Sequence, residues 1–237
     1  MWQTLRAELH QKGVEIVTVA LDLGGADAAR PWIEKAAPEH PSLIDAAHVT
    51  DEVFGFVNVP MSVWINEEGV LVRPAEPAQV RRSPLRDMDV PAEGLPERLR
   101  QTLTEVKKIT DSSAPYLAGL RDWAEHGASS RVALDPDQVI ARSRPRPPEV
   151  AQAAAGFELG QHLWRAGDDG AAVRWFREAH RLDPDNWTYK RQAWSLASTA
   201  PGEPSDLLQG PTDLYEGNWL ADVQAAGAEH YYQPLDM

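Results

Sequence analysis

This 237-residue chain contains no cysteine, so its histidines and carboxylates are the main side chains whose spacing could indicate metal binding or acid–base catalysis. Thiol–disulfide exchange and thiol peroxidation each require a thiolate as the attacking group, so the chain as given can perform neither reaction. The histidines form no H-E-x-x-H motif and no close pair, so we expect no metal ligands among them. The seven histidines are His10, His40, His48, His126, His162, His180 and His230.

Nucleotide-binding and hydrolase motifs are also absent from the sequence. It contains no Walker A loop, no G-x-S-x-G and no dinucleotide-binding fingerprint. Asp168 and Asp169, like Asp183 and Asp185, are most simply residues of helix ends and turns, with a catalytic carboxylate pair as the alternative. We therefore predict no catalytic residue, no metal and no cofactor.

The net charge of −13 restricts the possible partners. Nonspecific binding to nucleic acid relies on a basic surface, so we expect no nucleic-acid partner. No run of residues approaches the roughly 20 apolar residues of a membrane helix, and the N-terminus has no signal-peptide pattern. These features predict a cytoplasmic protein without a membrane span, or an exported or membrane-tethered one if Met1 is an internal start.

The N-terminal part of the chain alternates between helical and strand patterns. Residues 2–12 carry apolar side chains at helical spacing, and Gly13 stands where a helix C-cap is expected. Residues 14–21 are rich in β-branched side chains, the pattern of a strand buried on both faces of a mostly parallel sheet. A second helix is then predicted, and Pro38 and Pro41 end it.

Two short segments and a hairpin follow. Residues 42–45 are apolar, and residues 49–56 predict a helix of one or two turns. Residues 57–66 and residues 70–72 predict two strands that meet at a turn containing Gly69. This part of the sequence therefore predicts a β-hairpin.

The order of these elements resembles the thioredoxin superfamily, specifically its TlpA/ResA-like and AhpC/TSA-redoxin-related branch. The most specific part is the run Val-Pro-x-x-x-x-Ile-Asn-x-x-Gly that begins at Val59. The resemblance implies a partial α/β thioredoxin-like domain over residues 1–75. The matching residues are 14–22, 43–45, 54–60 and 63–72.

In that family the proline that matches Pro60 is in the cis form and lies opposite a C-x-x-C motif. This chain lacks both that motif and the strand that precedes it, so the resemblance implies a domain without its redox centre. As a hypothesis, an extended peptide could pair with the backbone of Val59, Pro60 and Met61, which we take as a peptide-binding site.

The resemblance leaves a gap in the middle of the sheet, between residues 14–21 and residues 61–66. Unpaired buried backbone groups cost about 1–3 kcal/mol each, so another segment must fill it. The native chain could extend upstream of Met1 and include the missing strand. Alternatively the two flanking strands pair directly, or residues 130–134 or a second protomer in a homo-oligomer supply the partner strand.

Residues 76–149 form a helical connecting region and linker. Residues 95–109 carry apolar side chains at helical spacing, and residues 115–125 predict another helix. Residues 142–148 have the composition of a stiff, extended, basic linker. This linker marks the second domain boundary.

Residues 150–200 resemble a tetratricopeptide (TPR) repeat, an all-α helical hairpin, with residues 187–197 as a capping helix. One such unit cannot bury its face alone, because about three are usually needed. We expect it to pack on the preceding helices, on the sheet or on another subunit. Residues 201–237 are a C-terminal tail of unknown role. The expected packing residues of the repeat are Leu159, Gly160, Leu163, Ala172, Phe176, Ala179 and Pro184.

Two functions from different classes fit this sequence. In the first, the chain is a non-catalytic thioredoxin-like and TPR protein that binds a protein or an extended peptide. In the second, it is a truncated thiol-disulfide oxidoreductase or thiol peroxidase whose cysteines lie upstream of Met1. The natural partner and the oligomeric state do not follow from the sequence.

Overall fold

A computed structural model describes residues 2–91, 94–143, 145–196 and 215–237. The described residues form a mixed α/β structure that is mostly helical, with short strands. The strands are β1 (Thr18–Leu21), β2 (Ser42–Asp45), β3 (Met61–Ile65) and β4 (Leu71–Pro77). The helices are α1 (Trp2–Leu9), α2 (Gly25–Ala36), α3 (Val49–Phe54), α4 (Glu97–Lys108), α5 (Ser113–His126), α6 (Pro136–Arg142), α7 (Pro148–Arg165), α8 (Asp169–Leu182), α9 (Trp187–Leu196) and α10 (Trp219–Ala226).

The chain folds into two compact units. The first unit comprises Met1–Arg81, Ser113–Arg146 and Leu235–Met237, and the second comprises Arg82–Ser112 and Pro147–Pro234. The region that the sequence analysis treats as one connecting segment is therefore divided, with α4 in the second unit and α5 and α6 in the first.

The first unit contains two separate two-stranded sheets. β1 and β2 pair in parallel, and β3 and β4 form an antiparallel hairpin. Among the described residues, β1 and β3 do not pair with each other. Residues 130–134 lie beside β4 instead of between the sheets, since the Leu134 N–H donates to the Val72 carbonyl at 3.0 Å. Neither direct pairing of the flanking strands nor this segment fills the gap.

Trp64 of β3 lies in the apolar core of the first unit. Its ring stacks on Trp123 of α5 with 5.2 Å between the centroids, and it meets Tyr116 edge to face at 6.0 Å. Leu5 and Leu9 of α1 belong to the same buried cluster. The hairpin, α1 and α5 are therefore joined through one core.

A buried ion pair on β4 lies beside this core. The Arg73 Nη2 and Glu76 Oε2 atoms are 2.6 Å apart, and the two side chains are almost completely buried. Arg73 also donates to the carbonyls of Val132 and Asp236. Burial raises the pKa of the Glu76 carboxyl, and the neighbouring Arg73 guanidinium opposes this shift.

The α7/α8 hairpin is the centre of the second unit. The Phe157 ring of α7 lies 5.6 Å from that of Phe176 on α8, and it stacks on Tyr189 of α9 at 4.2 Å. Trp187 and Trp194 of α9 are also buried. These aromatic contacts join α7, α8 and α9 into one packed group.

Three stretches differ from their sequence-based prediction. β1 begins at Thr18 and not at residue 14, and Val17 is 52% exposed, so the prediction of a strand buried on both faces is wrong. β-branched residues favour extended backbone, but burial requires layers on both sides.

α6 was not predicted, although Asp135 and Gln138 form a capping box at its start. The predicted tail contains α10, and its residues 201–214, like the predicted cap residue Ala197, lie outside the described residues.

Candidate functional site

The register of β1 and β2 defines the two faces of the parallel sheet. Val19 lies opposite Leu43, and Leu21 lies opposite Asp45. Residues paired across parallel strands point to the same face, and side chains alternate along each strand. One face therefore carries Val19, Leu21, Leu43 and, at its end, Asp45, and Val17 continues it immediately before β1. We call its four apolar residues, Val17, Val19, Leu21 and Leu43, the apolar sheet face.

The apolar sheet face is open to solvent. The side chain of Val17 is 52% exposed and that of Leu43 is 54% exposed, while Val19 and Leu21 are partly buried. Parallel sheets normally have helices on both faces, and their strands are buried. Among the described residues, no helix covers the apolar sheet face.

The opposite face of the sheet has a different character. There the Thr18 and Ser42 hydroxyl oxygens are 3.0 Å apart and share a hydrogen bond. α2 packs next to β2, and its residue Ala29 is buried. Ala20 and Ile44 also lie on this face, and Ile44 is 37% exposed. The apolar sheet face differs in that Val17 and Leu43 are both more than half exposed.

Asp45 ends β2 and organises the loop that follows. Its carboxylate accepts hydrogen bonds from the N–H groups of Ala47, Val49 and Thr50, and from the Thr50 hydroxyl at 2.7 Å. Burial by itself would raise the pKa of Asp45, but the bonds from Thr50, Val49 and Ala47 outweigh it and lower the pKa. The carboxylate is therefore ionised at neutral pH beside the apolar sheet face.

The predicted peptide-binding residues lie at the start of the hairpin. The Val59–Pro60 bond is cis, Val59 and Pro60 are exposed, and Met61 is partly buried. The Val59 N–H donates to the Asn58 side-chain oxygen at 2.8 Å, and the Pro60 carbonyl accepts from the Ala78 N–H at 3.0 Å. Two of the main-chain groups that an extended peptide would use are therefore bonded within the chain.

The predicted repeat residues separate into two groups. Gly160, Ala172 and Phe176 meet between α7 and α8, since a Cβ on Gly160 would lie 3.3 Å from the Ala172 carbonyl oxygen. Ala179 is also buried, Leu163 is partly buried, and Pro184 follows the end of α8. Leu159 instead is 37% exposed, and Phe157 occupies the buried position. The two residues differ because positions two apart lie on nearly opposite sides of a helix.

Comparison of the chain with protein-family models, curated proteins and solved structures finds no match.

Two of the histidines are buried and neutral. Burial lowers the pKa of His48 and of His180 to about 4, so both imidazoles are neutral at neutral pH. Within residues 2–91, 94–143, 145–196 and 215–237, no group of three or more His, Asp or Glu side chains could hold a metal ion. In those same ranges, no helix has both the length and the apolar composition needed to cross a bilayer.

Sequence reasoning did not find the apolar sheet face. The run around Val17 and Val19 predicts a strand, but it carries no information on whether a helix covers each side. The sequence carries one weak signal of an incomplete layer. The predicted strand at residues 42–45 is only four residues long, so the sheet it forms is short. The exposure of Leu43 became visible from the register and burial of the folded chain.

Proposed function

We propose that this protein is a non-catalytic scaffold that binds a polypeptide segment of another protein. In this proposal the first unit is a partial thioredoxin-like domain, and the α7–α9 group is a TPR-like hairpin with a capping helix. The observation that carries the proposal is the uncovered apolar sheet face, in which Val17 and Leu43 are more than half exposed.

The physical argument rests on the burial of apolar surface. Full burial of a Val or Leu side chain contributes about 1.5–3 kcal/mol. Covering the remaining exposed halves of Val17 and Leu43 would therefore contribute about 1.5–3 kcal/mol to binding. A contiguous apolar patch of this kind marks an interaction surface more often than scattered single residues do.

The order of elements in the first unit supports the thioredoxin-like part of the proposal. A parallel strand, a helix, a second short strand and a small helix precede the antiparallel hairpin after Pro60. In the second unit, the close approach of Gly160 to Phe176 supports the TPR-like part, because small residues permit antiparallel helices to pack closely.

The available chemistry favours binding over catalysis. The sequence offers no thiolate, and the buried histidines His48 and His180 have their pKa lowered to about 4, far from the value that suits a general base at neutral pH. The alternative, an oxidoreductase or peroxidase with cysteines upstream of Met1, stays a prediction. The intact mass and N-terminal sequence of the protein from its native source test that alternative.

A peptide-display selection on the full chain tests the binding function. Enriched peptides are synthesised with a fluorescent label, and their affinity is measured by anisotropy. We expect Leu43→Ser to weaken binding by about fivefold or more, because the lost apolar contact is worth about 1 kcal/mol. Ile140→Ser is the matched control, since Ile140 lies on α6 and is also exposed. A selection in which no peptide depends on Leu43 overturns the proposal.

A further inference from the structure

The apolar sheet face has the dimensions of a short helix. β1 and β2 each have four residues, and a strand rises about 3.3 Å per residue, so the face is about 13 Å long. A helix rises about 1.5 Å per residue, so about nine residues would span it. Helices are also the usual cover of parallel strands.

The stretch of chain that forms this sheet is rich in exposed apolar side chains. Of the twelve large apolar side chains exposed in the described residues, seven lie within residues 13–60. These residues include the whole of β1, α2, β2 and α3. The seven exposed side chains are Val17, Trp32, Leu43, Ile44, Val49, Val53 and Val59.

The same stretch is strongly acidic. Residues 13–60 contain eight carboxylates and two cationic side chains, Arg30 and Lys35, a net charge of −6 with His40 and His48 neutral. Three of these carboxylates are already paired with cations outside the stretch, Glu15 and Glu39 with Arg6 and Glu52 with Arg146, and Asp51 is buried. The acidic residues are Glu15, Asp22, Asp27, Glu34, Glu39, Asp45, Asp51 and Glu52.

The negative charge of residues 13–60 favours some partners of the apolar sheet face over others. A second copy of the chain would bring the same negative stretch against itself, and like charges across an interface repel. An acidic partner would meet the same repulsion. A cationic partner would gain attraction at the rim of the face while its apolar side chains cover Val17 and Leu43.

We propose that the apolar sheet face binds a cationic amphipathic helix of a partner protein, with Lys or Arg side chains flanking an apolar stripe. This inference rests on the proposed function, because it names the class of polypeptide that the scaffold binds. The helix supplies the layer that the parallel strands lack, and its basic residues lie against Asp22 and Asp45 at the carboxyl end of β1 and β2.

The test uses three labelled peptides of about 14 residues, long enough to span the face. The first contains Leu at helical spacing with Lys elsewhere. The second has Glu in place of every Lys. The third has the composition of the first, but Leu and Lys alternate as in a strand. Anisotropy titrations with the full chain give the affinity of each peptide at low and high salt.

The first peptide is expected to bind at least about tenfold more tightly than the other two. Its affinity should decrease as salt rises, because salt screens exposed charges. Leu43→Ser should weaken its binding by about fivefold or more, while Ile140→Ser should change it by less than about twofold. Val17→Ser provides a second variant on the face, and thermal unfolding checks that each variant is folded.

Three outcomes contradict the inference. If the acidic or the strand-patterned peptide binds as tightly as the first, with the same dependence on Leu43, the cationic helix is wrong and the scaffold function stands. If sedimentation shows a dimer that Leu43→Ser dissociates, a second copy occupies the face and the inference is wrong. If neither these peptides nor any selected peptide depends on Leu43, both the inference and the proposed function fail.

Discussion

Gly160 and Phe176 lie in direct contact across the α7/α8 hairpin. A Cβ placed on Gly160 would lie 2.7 Å from the Cδ1 and Cε1 atoms of Phe176, closer than carbon atoms approach without displacement. The Phe176 ring is fully buried, and Phe157 packs against it at 5.6 Å. The ring therefore cannot move aside without disturbing the core of the second unit.

We predict that Gly160→Ala destabilises the second unit. Overpacking a core costs about 1–3 kcal/mol, and the higher helix propensity of Ala offsets about 1 kcal/mol, so we expect a net loss of up to about 2 kcal/mol. A urea titration followed by tryptophan fluorescence measures it. Gly156→Ala is the matched control on α7, because its Cβ would make an ordinary contact of 3.6 Å with Trp175. Equal stabilisation by both substitutions would contradict the prediction.

We predict a large loss of stability for Phe176→Ala. Removing a fully buried aromatic ring costs about 3–5 kcal/mol, through lost burial and the cavity that remains. The denaturant titration should show this loss as a lower transition midpoint. Leu159→Ala is the control on the same hairpin and should cost less than about 1 kcal/mol, because Leu159 is exposed. A loss below about 1 kcal/mol for Phe176→Ala would show that the aromatic core does not hold the hairpin together.

The buried pair of Arg73 and Glu76 gives a third prediction. Arg73→Met leaves the Glu76 carboxylate buried without its guanidinium, so we expect a loss of about 3–5 kcal/mol in the free energy of unfolding. Arg121→Met removes a pair with Glu8 in the same unit, but both side chains are more than 40% exposed. Exposed pairs contribute about 0–1 kcal/mol. Similar losses for the two variants would refute the assigned role of the buried pair.

Stability should fall as the pH decreases below neutral. Burial lowers the pKa of His48 and of His180 to about 4, from the 6.5 of an unburied histidine. Between about pH 6.5 and pH 4 the unfolded chain therefore binds protons that the folded chain does not bind. Each histidine should lower the free energy of unfolding by up to about 1.4 kcal/mol per pH unit within this window.

Denaturant titrations between about pH 7 and pH 5 isolate this effect, because most carboxyl groups titrate at lower pH. His180→Gln should reduce the pH dependence of the second unit. His230→Gln is the control, since the His230 side chain is 75% exposed. If His180→Gln leaves the pH dependence unchanged, the buried imidazole is not its cause.

Local patterns predict much of the secondary structure. Gly13, with φ of +85°, ends the first helical segment at the position that the sequence indicates. The turn around Gly69 joins two strands as predicted, with the Asn66 side chain accepting from the Val70 N–H. These features depend on residues that are close in sequence, so short-range sequence reasoning can identify them.

Such local patterns do not determine which strands and helices, distant in sequence, pack together. The sequence left open what lies between residues 14–21 and the hairpin, and the structure places β1 beside β2 while β3 pairs with β4. It also assigns α5 to the first unit and α4 to the second. These assignments depend on which apolar surfaces meet, such as Trp64 with Trp123, and many pairings satisfy the same local pattern.

By itself the sequence determined that these 237 residues contain no cysteine and have a net charge of −13, and it predicted the hairpin after Pro60. Composition and local backbone preference decide such features, whatever the rest of the chain does. The tertiary structure alone decided that Leu43 and Val17 share an uncovered face, and that Phe157 rather than Leu159 is buried. Exposure depends on which elements pack together, because a side chain is buried by neighbours that are distant in the sequence.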